Sequence, residues 1–273
     1  MTIGVYSNIY RDCGLKVTGA FLRVLKKSGI KFLVSDFPEF NGGKNITKEE
    51  LSKLSDVIVV FGGDGTILSI VKNAAKEGIP VLGVNTGNLG FLTETDVTGL
   101  EEVADALKRR AFEIEERALI EARTDGGVYL ALNEIVIREV SSKMAHIRLF
   151  VGESLLDEFY ADGVLVSTPT GSTAYSLSAG GPILAPDVGA FIINPVNPHS
   201  LHSRPFVVSD NSLIKAETFK NDKLQLVADG AAPALIPTDG CAVIKKSDIR
   251  AKFVRIKPYD FYTKILYKFN KNV

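Results

Sequence analysis

The residues best suited to chemistry in this 273-residue chain are Phe61-Gly62-Gly63-Asp64-Gly65-Thr66. A short apolar run, Val57–Phe61, precedes them, and Ile67, Ile70, Val71 and Ala74 follow at helical spacing. Glycines let a backbone approach a ligand closely. A helix starting behind them offers unpaired N–H groups and the positive end of its dipole, which suits phosphate. Gly62, Gly63, Gly65 and Thr66 are therefore the candidate phosphate cradle. The run has neither the Gly-Lys-Ser/Thr of a P-loop nor a GxGxxG turn. Asp64 is its unusual member: a carboxylate there repels phosphate unless it meets a metal ion or accepts a proton. The structural alternative is a tight turn in which Asp64 caps the helix.

Three further polar clusters stand out. Asn85-Thr86-Gly87-Asn88-Leu89-Gly90-Phe91 follows the next apolar run and is expected at the C-terminal end of a strand, where open α/β sheets bind ligands. Asn133-Glu134 interrupts the apolar stretch Leu130–Ile137. At period two Glu134 shares a face with Leu132 and Val136, where a carboxylate is costly unless paired or bound to a ligand; the alternative is a solvent-facing edge position. The stretch from Asp162 to Pro182 is rich in hydroxyls and small residues and suits a polar ligand. Other chemistries find little support. His199 and His202 have no evident third ligand for zinc, His146 stands apart, and no GxSxG elbow is present.

Composition narrows the class. Lysine plus arginine and aspartate plus glutamate both number 32, so bulk charge gives no reason to expect nucleic acid or an anionic membrane as partner. At 45% hydrophobic and 23% charged, the chain is ordinary for a globular protein. Cys13 and Cys241 fit no metal or disulfide framework, which points to a reducing cytoplasm. Met1–Ser7 carries no basic leader, and the longest aliphatic or aromatic run is Val57–Phe61, so neither a signal peptide nor a membrane helix is expected.

Elements must hold these clusters in place. Ile3–Ser7, Lys31–Ser35, Val57–Phe61 and Pro80–Val84 read as strands. Between them run helical patterns carrying Val17, Phe21, Val24 and Leu25, then Leu51 and Leu54 behind the capping box Thr47–Glu50, then Ile67–Ala74. A second capping box, Thr98–Glu101, opens a helix with Leu100, Val103, Ala104 and Leu107 inward, and Lys108-Arg109-Arg110 closes it as a solvated terminus. Alternating strand and helix imply a parallel sheet covered by helices. Beyond Arg110 the pattern turns to short strands. Asp125-Gly126-Gly127 joins Ala118–Arg123 to Val128–Arg138 as a hairpin. Further strands are expected at His146–Val151, Gly163–Ser167, Ala190–Asn194, Phe206–Val208, Leu213–Thr218, Lys223–Ala228, Cys241–Lys245 and Lys252–Ile256, with one short helix in Thr173–Gly181. The expected fold class is α/β plus all-β. Residues 1–111 form an α/β nucleotide domain with a parallel sheet, 112–257 a β-rich domain, and the tail 258–273 must dock on another part of the chain.

With these residues in view the chain resembles the NAD kinase family. The resemblance rests on Gly62-Gly63-Asp64-Gly65-Thr66, Asn85 to Phe91, Asn133-Glu134, Asp162 to Pro182 with its Thr168-Pro169-Thr170-Gly171-Ser172-Thr173-Ala174-Tyr175-Ser176, and Asn197-Pro198-His199-Ser200-Leu201 before Arg204-Pro205. These occur in family order along almost the whole chain. The first element alone is only moderately specific, because diacylglycerol kinases, sphingosine kinases and phosphofructokinases resemble it there. The resemblance implies transfer of a phosphoryl group from ATP to the 2′-hydroxyl of the adenosine ribose of NAD, giving NADP, with Mg2+ or another divalent cation, and a C-terminal tail that returns to the first domain. It implies Asp64 as proton acceptor. Gly65, Asn133, Glu134, Asp162, Thr173, Ala174, Tyr175, Ser176, Leu177 and Ser178 line the dinucleotide site, with Phe91 and Thr170 beside it. Metal ligands stay unassigned. Homodimers or homotetramers are usual in the family, and a neighbouring subunit can contribute to the NAD site.

The chain departs from the family where Ala231 follows Asp229-Gly230; many bacterial members carry glutamine there. Met144 and Tyr160 stand near places where some members have basic residues. The rival readings are a lipid kinase of the diacylglycerol or sphingosine type, which the polar Thr168–Ser178 segment disfavours, and a non-catalytic dinucleotide sensor, which an intact Asp64 disfavours. For the kinase the chemistry is direct. A ribose hydroxyl must lose its proton as the P–O bond forms, and general-base help is worth about 10²–10⁴ in rate.

Overall fold

The computed structural model describes residues 1–87, 90–141, 143–200, 202–219 and 223–270. Asn88 and Leu89 of the second glycine turn and Leu201 of the Asn197–Leu201 motif lie outside the described residues. The chain divides into two units: residues 1–116 with 250–273, and residues 117–249.

In the first unit β1 (Thr2–Ser7), α1 (Lys16–Lys27), β2 (Lys31–Val34), α2 (Lys48–Leu54), β3 (Val57–Phe61), α3 (Asp64–Lys76), β4 (Val81–Asn85), the short β5 (Thr95–Asp96) and α4 (Leu100–Arg109) alternate. The strands pair in parallel in the order β2-β1-β3-β4. Every residue of β3 and β4 is buried, which is why both read as unbroken apolar runs. Phe21, Leu25, Val103 and Leu107 close over Ile3, Val5, Val59 and Leu82 to make the core. Asp12 starts α1 by accepting the amides of Val17 (3.0 Å) and Thr18 (2.8 Å), two donors the helix itself leaves unpaired. Thr47 and Glu50 form the expected capping box on α2.

The second unit is antiparallel. The chain enters it along β6 (Glu113–Thr124) and continues through β7 (Gly127–Ala131), β8 (Glu134–Glu139), β9 (Ala145–Val151), β10 (Ser154–Ala161), β11 (Gly163–Ser167), α5 (Tyr175–Ser178), β12 (Ala190–Val196), β13 (Phe206–Ser209), β14 (Ile214–Glu217), β15 (Leu224–Ala228) and β16 (Ala234–Leu235). It leaves along β17 (Cys241–Arg255), after which α6 (Phe261–Asn270) lies in the first unit. One sheet runs β13-β12-β11-β8-β15-β16. Facing it are the β10-β9-β14-β17 ladder and the β6-β7 hairpin. Ile120, Ile147 and Leu149 pack against Ile135, Val164, Val166, Phe191 and Leu226 between them.

The tail docks on the first unit as the resemblance implied. The Tyr259 hydroxyl donates to Phe91 O (3.1 Å), Lys264 Nζ to Thr93 O (2.6 Å), and the amides of Ile256 and Lys257 to Glu94 Oε1 (2.8 and 3.0 Å). Buried Arg255 sits between Glu115 (2.6 Å) and Glu94 (3.1 Å).

Several expectations are corrected. Thr98 does not cap α4. It stands in a 3-10 turn, Val97–Gly99, and its amide and hydroxyl donate to Asp96, a stronger acceptor two residues upstream. The stretch Val128–Arg138 is two strands, because the chain changes sheets at Leu132-Asn133. Cys241–Lys245 and Lys252–Ile256 are parts of one strand, β17; its polar middle is carried by the ladder on either side. The expected helix in Thr173–Gly181 is shorter, a 3-10 turn Thr170–Thr173 followed by α5. The strand β10 is absent from the sequence reading because Asp157 and Glu158 break its apolar alternation.

Candidate active site

The two glycine turns meet in the first unit. They border a cavity of about 360 Å³ whose lining includes Gly63, Asp64, Gly65, Thr66, Gly87 and Gly90. Gly63 stands at the N-cap of α3, with no side chain to cap the helix, so no side chain covers its first amides. Asp64 is the first helical residue, not the cap. Its carboxylate turns instead to the second loop: Oδ2 accepts the Phe91 amide (2.8 Å) and Oδ1 the Leu92 amide (3.0 Å). A side chain at Gly90 would collide with Asp64 Oδ1, so the close approach of loop and carboxylate requires glycine there. Gly62 has a similar reason, since a Cβ would strike the Thr66 hydroxyl.

Three lining residues were missed in the sequence: Asn8, Arg11 and Lys268. Asn8 and Arg11 follow β1, so they too sit past the C-terminal end of a parallel strand, and the rule used for the other two loops would have found them. Asn8 Nδ2 donates to Thr66 Oγ1 (3.4 Å). Lys268 comes from α6, far away in sequence. Its ammonium lies 3.9 Å from Asp64 Oδ2 and 4.1 Å from the centre of the Phe91 ring. Phe91 is thus held by the tail, with Phe261 also against it at 6.2 Å between ring centres. Among the described lining residues the charged groups are Arg11, Lys268 and Asp64, an excess of positive charge that suits a polyphosphate.

The second unit gathers Asn133, Glu134 and the hydroxyl-rich segment. Both residues of the pair are buried, which removes the edge-position alternative. Leu132 O accepts the Thr168 hydroxyl (2.5 Å), and Asn133 O accepts the Thr168 amide (2.9 Å) and the Ser167 hydroxyl (3.2 Å). Gly171 lies so close to Asn133 O that a Cβ would collide with it. Thr170 Oγ1 accepts from the buried Arg117 (3.3 Å), Thr173 Oγ1 donates to Thr170 O (3.4 Å), and Ser176 O accepts Asn194 Nδ2 (3.0 Å). Many hydroxyls of the segment therefore hold its own backbone. Those of Tyr175 and Ser178, both exposed, with the half-buried Thr173 and Ala174 and the neighbouring Leu177, form its outward part. Glu134 Oε2 is buried without a hydrogen-bond partner. Burial pushes the Glu134 carboxyl up to about 7, the nearby charge of Asp229 adds to the rise, and the Tyr175 amide opposes it.

Asp162 is not brought to this cluster. It precedes β11, whose other end, Ser167, is the residue opposite Glu134. Five residues of strand separate Asp162 from Ser167, about 16 Å. Asp162 is exposed and accepts Asn197 Nδ2 (2.8 Å). Ala231 is exposed in the turn after Asp229-Gly230. Met144 and Tyr160 are exposed as well, the Tyr160 ring stacked on His146 at 4.3 Å.

Residues 22–112 match the ATP-NAD kinase N-terminal domain and residues 132–256 the ATP-NAD kinase C-terminal domain. An NAD kinase of Caldanaerobacter subterraneus subsp. tengcongensis is 39% identical over 270 residues, 95% of either chain. The chain belongs to the NAD kinase family. An NAD kinase of Desulforamulus reducens is 37% identical over 271 residues, 96% of this chain and 94% of that one. The crystal structure of an NAD kinase from Archaeoglobus fulgidus in complex with ATP superposes with a TM-score of 0.79 at 29% identity, covering 98% of both chains. That of yeast NADH kinase complexed with NADH gives 0.86 over 97% of this chain and 85% of that one; at 24% identity it bears on the fold alone. As a member of the family this protein is an ATP-dependent kinase of NAD, and the lipid-kinase and sensor readings are set aside.

Proposed function

We propose that Asp64 accepts the proton of the 2′-hydroxyl of the adenosine ribose of NAD as the γ-phosphoryl group of ATP is transferred to it, giving NADP. The observation that carries this reading is the place of Asp64, the one carboxylate among the described residues lining a glycine-built, cationic cavity. Two of its roughly four lone-pair sites accept loop amides, which fixes the side chain and leaves the others for a proton. The glycine turns, Thr66, Arg11 and Lys268 receive the ATP phosphates. Their backbone amides and cations act where charge gathers in the transition state, and such positioning is most of what phosphoryl transfer asks of a protein.

Asn133, Glu134, Thr170 and Thr173–Ser178 bind the dinucleotide on this reading. Asp162, at the far end of β11, serves the site of a neighbouring copy in a homodimer or homotetramer. Mg2+, or another divalent cation, would come with the ATP phosphates; among the described residues no cluster of three carboxylate, histidine or cysteine ligands is built for it. Mg2+ takes few protein carboxylates and keeps phosphate oxygens and water as its other ligands, and Asp64 is the carboxylate at hand. When bound it neutralises charge on the phosphate oxygens. Among the described residues no helix is long and apolar enough to cross a membrane; with two unpaired cysteines, a cytoplasmic location is the natural setting.

The test is purified protein with ATP, Mg2+ and NAD, scored for NADP by a dehydrogenase that accepts only NADP. Formation of NADP that is lost in Asp64→Asn supports the reading. NADP formed equally well by that variant removes Asp64 from the chemistry.

A further inference from the structure

β7 belongs to the hairpin with β6, whereas β8 pairs with β11 and β15 in the opposite sheet. The chain makes that crossing in two residues, Leu132 and Asn133. Amides at such a crossing have no ladder partner, and a buried unpaired donor is costly. Here one side chain takes them all. Asp229 accepts the amides of Leu132 at Oδ2 (2.8 Å) and of Asn133 and Glu134 at Oδ1 (2.8 and 3.2 Å). Its own amide donates back to Glu134 O (3.1 Å). To reach them Asp229 adopts a left-handed φ of 51°, a conformation that aspartate tolerates better than most residues and that Gly230 continues.

We propose that Asp229 is a positioning residue of the dinucleotide site, a carboxylate clamp that breaks the strand at Leu132-Asn133 and so presents the Asn133 and Glu134 side chains to NAD. This rests on the reading of those two residues as NAD-binding. Four segments pack on Glu134. β11 sets Ser167 opposite it, α5 turns the Tyr175 amide toward it, β15 ends in Ala228 beside Ile135, and the following turn carries Asp229. Among the described residues Asp229 is the charged group acting on the Glu134 carboxyl, whose pKa is raised to about 7 by burial first and by that charge second. A clamp that also sets the charge around Glu134 leaves a signature in pH that a merely structural aspartate does not.

The experiment compares the full chain with Asp229→Asn, Glu134→Gln and the double variant, measuring KM for NAD and for ATP between pH 5.5 and 8.5. Circular dichroism checks the fold. Asparagine keeps the shape but offers one acceptor oxygen for three amides. The expected result is an NAD KM raised about 10- to 100-fold, the worth of a hydrogen bond to a charged group, with the ATP KM little changed. The pH midpoint of the NAD KM should move down in Asp229→Asn and vanish in Glu134→Gln, and the double variant should lose less than the product of the single effects. A folded Asp229→Asn with unchanged NAD KM, or with an unmoved midpoint, overturns the proposal. If Glu134→Gln itself leaves NAD KM unchanged, the underlying reading of the site falls instead. Should Asp229→Asn not fold, Thr168→Val loosens the same crossing by removing the hydroxyl bond to Leu132 O. An NAD-specific rise in KM then supports the clamp, and no change overturns it.

Discussion

Replacing Asp64 by asparagine tests two jobs of one carboxylate, the loop-holding seen in the structure and the proton acceptance proposed for it. Each of its oxygens accepts one amide of the second glycine loop, at 2.8 Å from Phe91 and 3.0 Å from Leu92. Asparagine has a single acceptor oxygen, so one of these bonds is lost and an NH2 group is set against a backbone N–H. The lost charge-assisted bond costs about 1.5–3 kcal/mol. For a protein of this size that is a fall in Tm of very roughly 3–12 °C. The second loss is the proton acceptor, and kcat should drop by about 10²–10⁴. The variant is therefore expected to fold, melt somewhat earlier and turn over far more slowly, while Kd for NAD by calorimetry changes little. Raising Mg2+ separates a further role: partial recovery marks a carboxylate that mainly holds the metal, and none marks a base. Gly90→Ala is the companion variant, since its Cβ displaces the carboxylate without removing its charge. Near-wild-type kcat in a folded Asp64→Asn, at ordinary Mg2+ and saturating substrates, would refute the assignment and leave only the loop-holding role.

Gly90→Ala itself should lower kcat by about tenfold or more with NAD affinity retained, because a misplaced catalytic group costs rate more than binding; steady-state kinetics beside NAD calorimetry checks it. Lys268→Gln should raise the ATP KM or lower kcat by about 10- to 100-fold and leave NAD binding alone, as expected for one lost charge-assisted contact to phosphate. Glu134 makes stability depend on pH. Its folded carboxyl is raised from 4.5 to about 7, so between those values the folded protein holds a proton that the unfolded chain has lost, and stability falls as pH rises through that window. The fall is on the order of 3 kcal/mol. Urea denaturation at pH 5 and pH 8 should show the fall in the wild type and a much flatter response in Glu134→Gln.

What the sequence revealed and what it hid divide along physical lines. β3 and β4 were legible because burial on both faces demands unbroken apolar runs, and α2 because its capping box is local. Glycines at 62 and 90 were visible as types, but the reason for Gly90, the Asp64 carboxylate packed upon it, is a contact 26 residues away in the chain. The hydroxyls between Asp162 and Pro182 drew attention as ligand donors. Ser167, Thr168 and Ser172 turn out to hold backbone carbonyls, a use that composition cannot tell from binding. Lys268 was illegible for a different reason: its partner Asp64 is 204 positions earlier, and no local period marks a lysine that will reach a cavity from one that will face water. Asp162 was grouped with Asn133 and Glu134 by the family resemblance, which carries no information on the end of a strand at which each residue stands. Antiparallel register decides which end, and register is fixed by pairing that a single sequence does not display.

Two of the chain's Asp-Gly pairs, Asp64-Gly65 and Asp229-Gly230, show why a shared motif does not imply a shared role. Asp64 and Asp229 both use a carboxylate to hold consecutive amides where the chain has no ladder to satisfy them. Asp64 takes two amides, one on each oxygen, and Oδ2 also faces Lys268 across a cavity that a ligand can enter. Asp229 takes three, two of them on a single oxygen, inside a crossing between sheets. A carboxylate has about four lone-pair sites. Each amide it accepts stabilises its charged form and uses a site where a proton would go. Asp64 faces a cavity that a ligand can enter, whereas Asp229 spends its oxygens on the crossing between sheets. On the proposed reading proton acceptance falls to Asp64 and positioning to Asp229, and the two differ in how many backbone donors each holds and in access to the cavity.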